Sequence, residues 1–339
     1  MYQNAVYVSG TANVPSVPLN ECMDLNGVYV APIGGRTFHV RGSATTGAIL
    51  AYDDQYGQNT ADMNRRLYPS VASVLPYCVA NRGDKIIVHP NHTENIGAAD
   101  AWAFVAGLSI IGLGWGNTRP TFTFSVAAST LLCDVAGLTF QNCRWLCAGP
   151  AGVTALTVAG PWVVTGEGCL FMGNFFEVGI DADQLCTTPF TIKAANCGFF
   201  GNRIVAQAAA APCTNVVLLG SASTGADGFT FAGNYVKAAT GAVTTGVIAN
   251  INSTATSTDI LIEKNYLHNW LASSEAVISL AGNMVTTGLI RENQFRVELN
   301  SSVQGVVYSG TGVDVSLDNN RISNVANETA KQNQGTVSA

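Results

Sequence analysis

The 339-residue chain pairs a hydrophobic fraction of 47% with a charged fraction of only 11% and a net charge of −6. That much apolar surface excludes a disordered chain, and the missing charge, against about 25% in an ordinary globular protein, is replaced by Gly, Ala, Thr, Ser, Asn and Val, residues of short strands and tight turns. No basic run exists to meet phosphates, so no nucleic-acid partner is expected; no uncharged apolar run approaches the roughly 20 residues of a membrane helix, so no membrane partner is expected either.

The opening Met1-Tyr2-Gln3-Asn4-Ala5 lacks a basic flank followed by an apolar stretch, which argues against a secretory signal. Residues 1–58 are Gly-rich with strand-like pieces at Val28–Ala31 and Thr37–Val40, and read as a small β cap or extended arm that contacts a particle or another subunit. Met63, Leu67, Val71, Val74 and Cys78 follow at helical spacing. Pro69 and Pro76 interrupt that stripe, so the pattern predicts a kinked or two-piece helix over residues 59–82, capped by Asn59 or Thr60 and covering an otherwise open β edge.

Downstream, one phrase recurs: apolar, two small or polar residues, Asn, any residue, apolar. It reads Phe171–Phe176, Phe199–Ile204, Phe231–Val236, Ile262–Leu267, Ile290–Phe295 and Leu317–Ile322, with a degenerate copy, Phe140–Trp145, that has Cys143 in the Asn place. Its asparagines, Asn174, Asn202, Asn234, Asn265, Asn293 and Asn320, stand 28, 32, 31, 28 and 27 residues apart, the spacing of one solenoid coil per repeat. Positions five and three before each Asn, and two after it, are apolar with the single exception of Gly288, so stacked coils would turn them into interior ladders. The Asn itself suits a bend between two sheets, where a left-handed backbone is expected, and stacked Asn side chains can hydrogen-bond along the axis. Short β-branched runs at Gly152–Val158, Asn215–Leu219, Gly246–Ile251, Ala276–Leu280 and Gly305–Tyr308 supply a further strand per coil. The predicted fold is all-β: a right-handed parallel β-helix over residues 83–325 with a short N-terminal capping helix, a small N-terminal β or extended segment, and a polar tail over 326–339 that is loose or bound to another subunit.

The start of that solenoid, Gly83-Asp84-Lys85-Ile86-Ile87-Val88-His89-Pro90-Asn91-His92-Thr93-Glu94-Asn95-Ile96, resembles the opening coil of the pectin-lyase-like β-helix superfamily, in which a G-D-x-I-x-V-x-P-G phrase leads to T-x-E-x-I; Asn91 stands where that family has Gly. Gly107–Gly114 is similar to the family's next coil. The resemblance spans about residues 83–325. It implies the fold and says little about chemistry, because one fold hosts many activities.

Catalytic chemistry of the polysaccharide-cleaving kind needs paired carboxylates. Asp181 with Asp183 is one candidate pair, but Gly179–Gln184 reads as a solvated turn; Glu263 with Asp318 is another, but with Arg291 between them, and with Lys264 beside Glu292, the pattern reads as a surface charge ladder that sets register. The motifs of the resembled family's hydrolase, lyase and esterase branches are not found, so no catalytic residue and no enzyme activity is assigned. His39, His89, His92 and His268 are isolated; His89 and His92 near the opening coil are candidate metal ligands, but a turn role is the preferred reading. The nine cysteines (22, 78, 133, 143, 147, 169, 186, 197 and 213) lie in apolar runs and read as reduced, buried hydrophobes; Cys143-x-x-x-Cys147 lacks a second ligand pair for zinc. No metal and no cofactor is expected. The sequons at Asn91, Asn252, Asn300 and Asn327 read as chance matches. Trp145 reads as core, while Trp102, Trp115, Trp162 and Trp270 remain candidates for a sugar-binding face.

A Gly/Ala/Thr/Asn-rich β-helix with little charge and no catalytic set suggests a bacteriophage structural protein. The expectation is a virion protein made in the host cytoplasm, a head decoration or cement protein on the capsid surface. Its partners would be itself, as a homotrimer, and the major capsid protein or another virion protein. The alternative is a receptor-binding tail fibre or tailspike that holds, and in one version cleaves, a host surface glycan; a cellular polysaccharide lyase or hydrolase is a third reading.

Overall fold

The computed structural model describes residues 23–25, 28–30, 35–42, 67–148, 156–178, 184–206, 213–238, 243–250, 255–269, 276–281, 285–297, 305–309, 313–324, 329–332 and 335–338. Within them the chain is a β-solenoid: three long sheets, each receiving one strand per coil, wrap a single interior. The first sheet runs from Leu67–Tyr68 and Thr37–Val40 through Lys85–Val88 to Val313–Asp318; the second runs from Thr93–Ile96 to Thr329–Gln332; the third runs from Leu131–Cys133 to Gly335–Ser338. Neighbouring strands are parallel along all three, apart from the last pair of the second sheet. Parallel strands joined by crossovers coil right-handed almost without exception.

The repeat phrase sets the register. Phe140, Phe171, Phe199, Phe231, Ile262, Ile290 and Leu317 are successive partners in the first sheet. Trp145, Phe176, Ile204, Val236, Leu267, Phe295 and Ile322 are successive partners in the second. Trp162, Phe190, Val217, Ile248, Ile278 and Val306 face them from the third. All of these are buried except Leu317, which packs against the others while partly exposed. Because side chains in a strand alternate, a slip of one residue would turn a whole column outward, so each buried column fixes its own register. The early coils are filled by rings: Phe140 on Phe171 at 5.2 Å and Phe171 on Phe199 at 4.6 Å are stacked, and Trp162 meets Trp145 edge to face at 4.6 Å. Later coils are filled mainly by Ile, Leu and Val, with Phe295 among them.

The expected third-strand segments fall in this sheet with one exception. Leu156–Val158 pairs instead with Gln184–Cys186 in a separate two-stranded sheet, and Trp162–Val164 is the third-sheet strand of that coil.

Both ends differ from the sequence expectation. Thr37–Val40, placed in the N-terminal arm, lies parallel on Lys85–Val88 with Phe38 and Val40 buried, so it belongs to the first sheet. Leu67, placed on the helical stripe, is in a strand beside His39. Pro69 holds the residue before it extended, and the helix begins only at Val71–Val74, capped by Ser70 rather than by Asn59 or Thr60, which with Met63 lie outside the described residues. A 3-10 turn, Leu75–Tyr77, continues it with Pro76 at its start, giving the two pieces. Val71, Val74, Leu75 and Cys78 are buried against the first coils. The polar tail likewise carries strands: Thr329–Gln332 turns back antiparallel on Arg321–Asn324, and Gly335–Ser338 adds to Val306–Ser309.

Candidate functional site

Asn174, Asn202, Asn234, Asn265, Asn293 and Asn320 are each at most 2% exposed and lie one above another at the corner between the first and second sheets. The Oδ1 of Asn202 accepts the backbone N–H of Asn174 at 2.9 Å and its Nδ2 at 3.2 Å, and the same pair of bonds recurs from each asparagine to the next as far as Asn320. The second amide hydrogen goes to the carbonyl of the apolar residue three before the preceding Asn, as from Asn202 to Phe171 and from Asn234 to Phe199. Each interior amide therefore uses both hydrogens and both acceptor positions, the full capacity of the group. Cys143 has no amide to give, and Trp145 replaces it: the Cys143 N–H and the Trp145 Nε1–H both donate to Oδ1 of Asn174, at 3.0 and 3.3 Å.

The left-handed backbone expected at these asparagines is not there. It falls one residue earlier, at Asn142, Gly173, Gly201, Gly233, Lys264, Glu292 and Asn319, all with positive φ. The bend is made by that residue, which frees the following Asn to turn its side chain inward. Glycine at 173, 201 and 233 was the signal for this, since glycine takes that conformation without steric cost.

The charge ladder is in place on the outer surface. Arg291 donates to Glu263 through Nε at 2.8 Å and Nη2 at 2.7 Å, Asp318 is its register neighbour on the other side, and Lys264 Nζ stands 3.8 Å from Glu292. Asp181 and Asp183 lie outside the described residues. Of the tryptophan candidates for a sugar face, Trp102 and Trp162 are buried in the core, where both pack edge to face on Trp145; Trp115 is 80% exposed, and Trp270 lies outside the described residues.

Outside the interior, the three sheets differ in charge. Along the second sheet one outward column reads Arg144, Phe175, Arg203, Tyr235, Tyr266 in register. The guanidinium of Arg203 sits between the Phe175 and Tyr235 rings at 5.2 and 5.7 Å, and Tyr235 and Tyr266 stack at 5.0 Å. Arg144 also pairs with Glu177. The ring faces are spent on one another, so their edges and the guanidinium groups are what the column offers to solvent. The third sheet is the opposite: among the described residues none of its strands carries a charged residue, and its outward column runs Leu132, Val163, Thr191, Leu218.

At the N-terminal end the histidines are not isolated. His39 Nδ1 and His89 Nε2 are 3.0 Å apart, one donating to the other, and His92 Nε2 stands 3.1 Å from Glu94 Oε2. The Glu94 carboxylate in turn accepts the N–H groups of Val71 at 2.7 Å and Ala72 at 3.2 Å, which ties the start of the helix to the second sheet. Asn91 has φ 61°, the left-handed conformation for which Gly stands in the resembled phrase. Asp84, 1% exposed, accepts from the N–H groups of Arg36 and Val79 and from the Arg82 guanidinium. Burial, then Arg41, then His92 hold His89 below its ordinary value of 6.5.

The eight described cysteines are free thiols and buried; burial pushes those of Cys78, Cys143 and Cys213 up to about 12, which makes them unreactive. Cys22 lies outside the described residues. Among the described residues no group of three His, Cys, Asp or Glu side chains is arranged to hold a metal ion, and no helix is long and apolar enough to cross a membrane.

No protein-family model, no curated protein and no solved structure matches this chain.

Two outcomes test this geometry. Asn234→Ala removes the acceptor of two buried N–H groups of Asn202 and two donors of its own. It should lower the unfolding free energy by about 3 kcal/mol or more, measured by denaturant titration, and Asn234→Asp, which cannot donate, should not rescue it. His89 gives a pH effect with a fixed sign. Its folded value lies below its unfolded one, so below about 6.5 the unfolded chain takes up a proton that the native chain resists. Stability is thus fully present at neutral pH and falls as the pH drops from about 6.5 through the lower native value, while His39, His92 and Arg41 face the ring. His89→Gln should flatten the fall in melting temperature over that window; an unchanged profile would contradict the assignment.

Proposed function

We propose that this chain is a structural protein of a bacteriophage particle, a head decoration or cement protein on the capsid surface, built on a pectin-lyase-like β-helix and packed side by side as a homotrimer. The observation that carries the reading is the third sheet. A sheet whose described strands carry no charged residue, with Asp134 and Lys193 only directly after two of them, resembles the centre of a subunit interface, where charge is depleted. A solenoid stiffened by saturated amides from Asn174 to Asn320 suits a load-bearing part. The charged columns on the other two sheets keep such an assembly soluble.

A second reading, a receptor-binding tail fibre or spike that holds a host glycan, is favoured by the Arg144–Tyr266 column of the second sheet, whose guanidinium and phenol groups offer donors to hydroxyl or carboxylate oxygens.

Light scattering coupled to size exclusion should give three times the 35.3 kDa chain mass. Val163→Glu, on the outward column of the third sheet, should give monomers with unchanged β-sheet circular dichroism. A monomeric wild type sinks the trimer. For the particle contact, residues 1–34 are the segment to delete, because a cut at 58 would remove the buried strand Thr37–Val40. The shortened chain should fold and trimerise but no longer co-sediment with capsids of its phage; equal co-sedimentation would place the contact elsewhere.

A further inference from the structure

At the N-terminal mouth of the solenoid a cleft of about 350 Å³ opens between Arg41 and Gly42 on one side and Pro90, Asn91, His92 and Thr93 on the other. It is separate from the column and the uncharged face described above. His92 lines it while being only 2% exposed. Its Nε2 faces Glu94 Oε2 at 3.1 Å. A carboxylate can only accept, so Nε2 carries the hydrogen, and whenever the ring is neutral its Nδ1 presents a lone pair. Glu94 cannot swing away to change this, because the Val71 and Ala72 N–H groups hold both of its oxygens.

That Nδ1 is buried and has no hydrogen-bond partner among the described residues. A polar atom left so is costly and calls for a ligand or a water. Gly42 keeps the approach open: a Cβ at that position would stand 3.1 Å from Nδ1. Arg41, exposed on the rim, has no ion-pair partner among the described residues, and its positive field is felt as far as His89. An imidazole oriented by a carboxylate is also how metal-bound histidines are held, but the neighbouring guanidinium repels a cation, and no three-ligand group accompanies it among the described residues.

We infer that this cleft binds a small hydroxy acid, a hydroxyl donating to Nδ1 of His92 and the carboxylate resting on the guanidinium of Arg41. The neutral ring supplies an acceptor and the arginine a forked cationic donor, a pair that neither a plain anion nor a neutral polyol satisfies. Asn91 and Thr93 add polar groups at the rim.

The test uses the full chain labelled with ¹⁵N and gluconate as the probe, at about pH 8, above the ordinary histidine range. Gluconate should move the His92 Nδ1 resonance in long-range imidazole spectra and bind in calorimetry. Sorbitol, which lacks the carboxylate, and acetate, which lacks the hydroxyls, should each bind at least about tenfold more weakly. Arg41→Ala should weaken gluconate by at least about tenfold, and Gly42→Ala should abolish the Nδ1 shift, both with unchanged circular dichroism since the two positions are exposed. A Nδ1 resonance that does not move up to the solubility limit of gluconate would mean that the nitrogen holds water only and would overturn the assignment. Binding that survives both substitutions unchanged would overturn it as well.

Discussion

A primary amide taken out of water must place two hydrogens and two lone pairs, and a single buried asparagine rarely can. Here the problem is solved by repetition. Each Asn from 174 to 320 takes its acceptors and donors from equivalent groups one coil away, so the cost of burial is met only if the coils lie in register. The ladder therefore does more than fill a corner. It joins the first sheet to the second at every coil from Asn174 to Asn320 and penalises any slip there, because a shifted coil would strand amides in an apolar interior. The apolar columns beside it impose the same register by another means, and agreement between the two is what makes one arrangement much better than its neighbours.

With the interior fixed this way, the outward residues are free to vary, and they divide by sheet. The second sheet carries interleaved arginine and aromatic rings, the first carries the Glu263–Arg291–Asp318 run near its C-terminal end, and the third carries no charge in its described strands. The described strands of the three sheets therefore differ in the chemistry that they turn outward, although Asp134 and Lys193 stand directly after two strands of the third sheet. That division supports the proposal of a side-by-side assembly bound to a larger particle, with the uncharged face turned inward.

Much of the architecture was legible in the sequence because the solenoid repeats its physics. One apolar frame recurring around an Asn is enough to align Phe171 with Phe199 and Phe231, and to place Glu263 beside Arg291. What escaped was local or non-repeating. The left-handed residue was assigned to the Asn, whereas Gly173, Gly201 and Gly233 marked it one place earlier. Thr37–Val40 joins a strand 48 residues further on, as Thr37 does to Lys85, and nothing in a local pattern foretells such a pairing. Leu67 matches a helical stripe by spacing, yet Pro69 keeps the chain extended there. Trp102 and Trp162 show the limit of residue type as a guide: a tryptophan suits a sugar face and a wide core equally well, and only the packing of neighbouring rings decides. The cleft at His92 was out of reach for a similar reason, since it depends on Glu94 being held by the helix start and on Gly42 arriving beside the ring.

Hydrogen exchange at the side-chain amides of Asn202, Asn234 and Asn265, followed by nuclear magnetic resonance, tests the ladder most directly. If their Nδ2 hydrogens are bonded within the stack, they should exchange only as slowly as the most protected backbone N–H groups of the first sheet, through unfolding of the whole solenoid. Exchange at the rate of a solvent-exposed asparagine side chain, with the sheets still protected, would show that the amides do not hold the coils together.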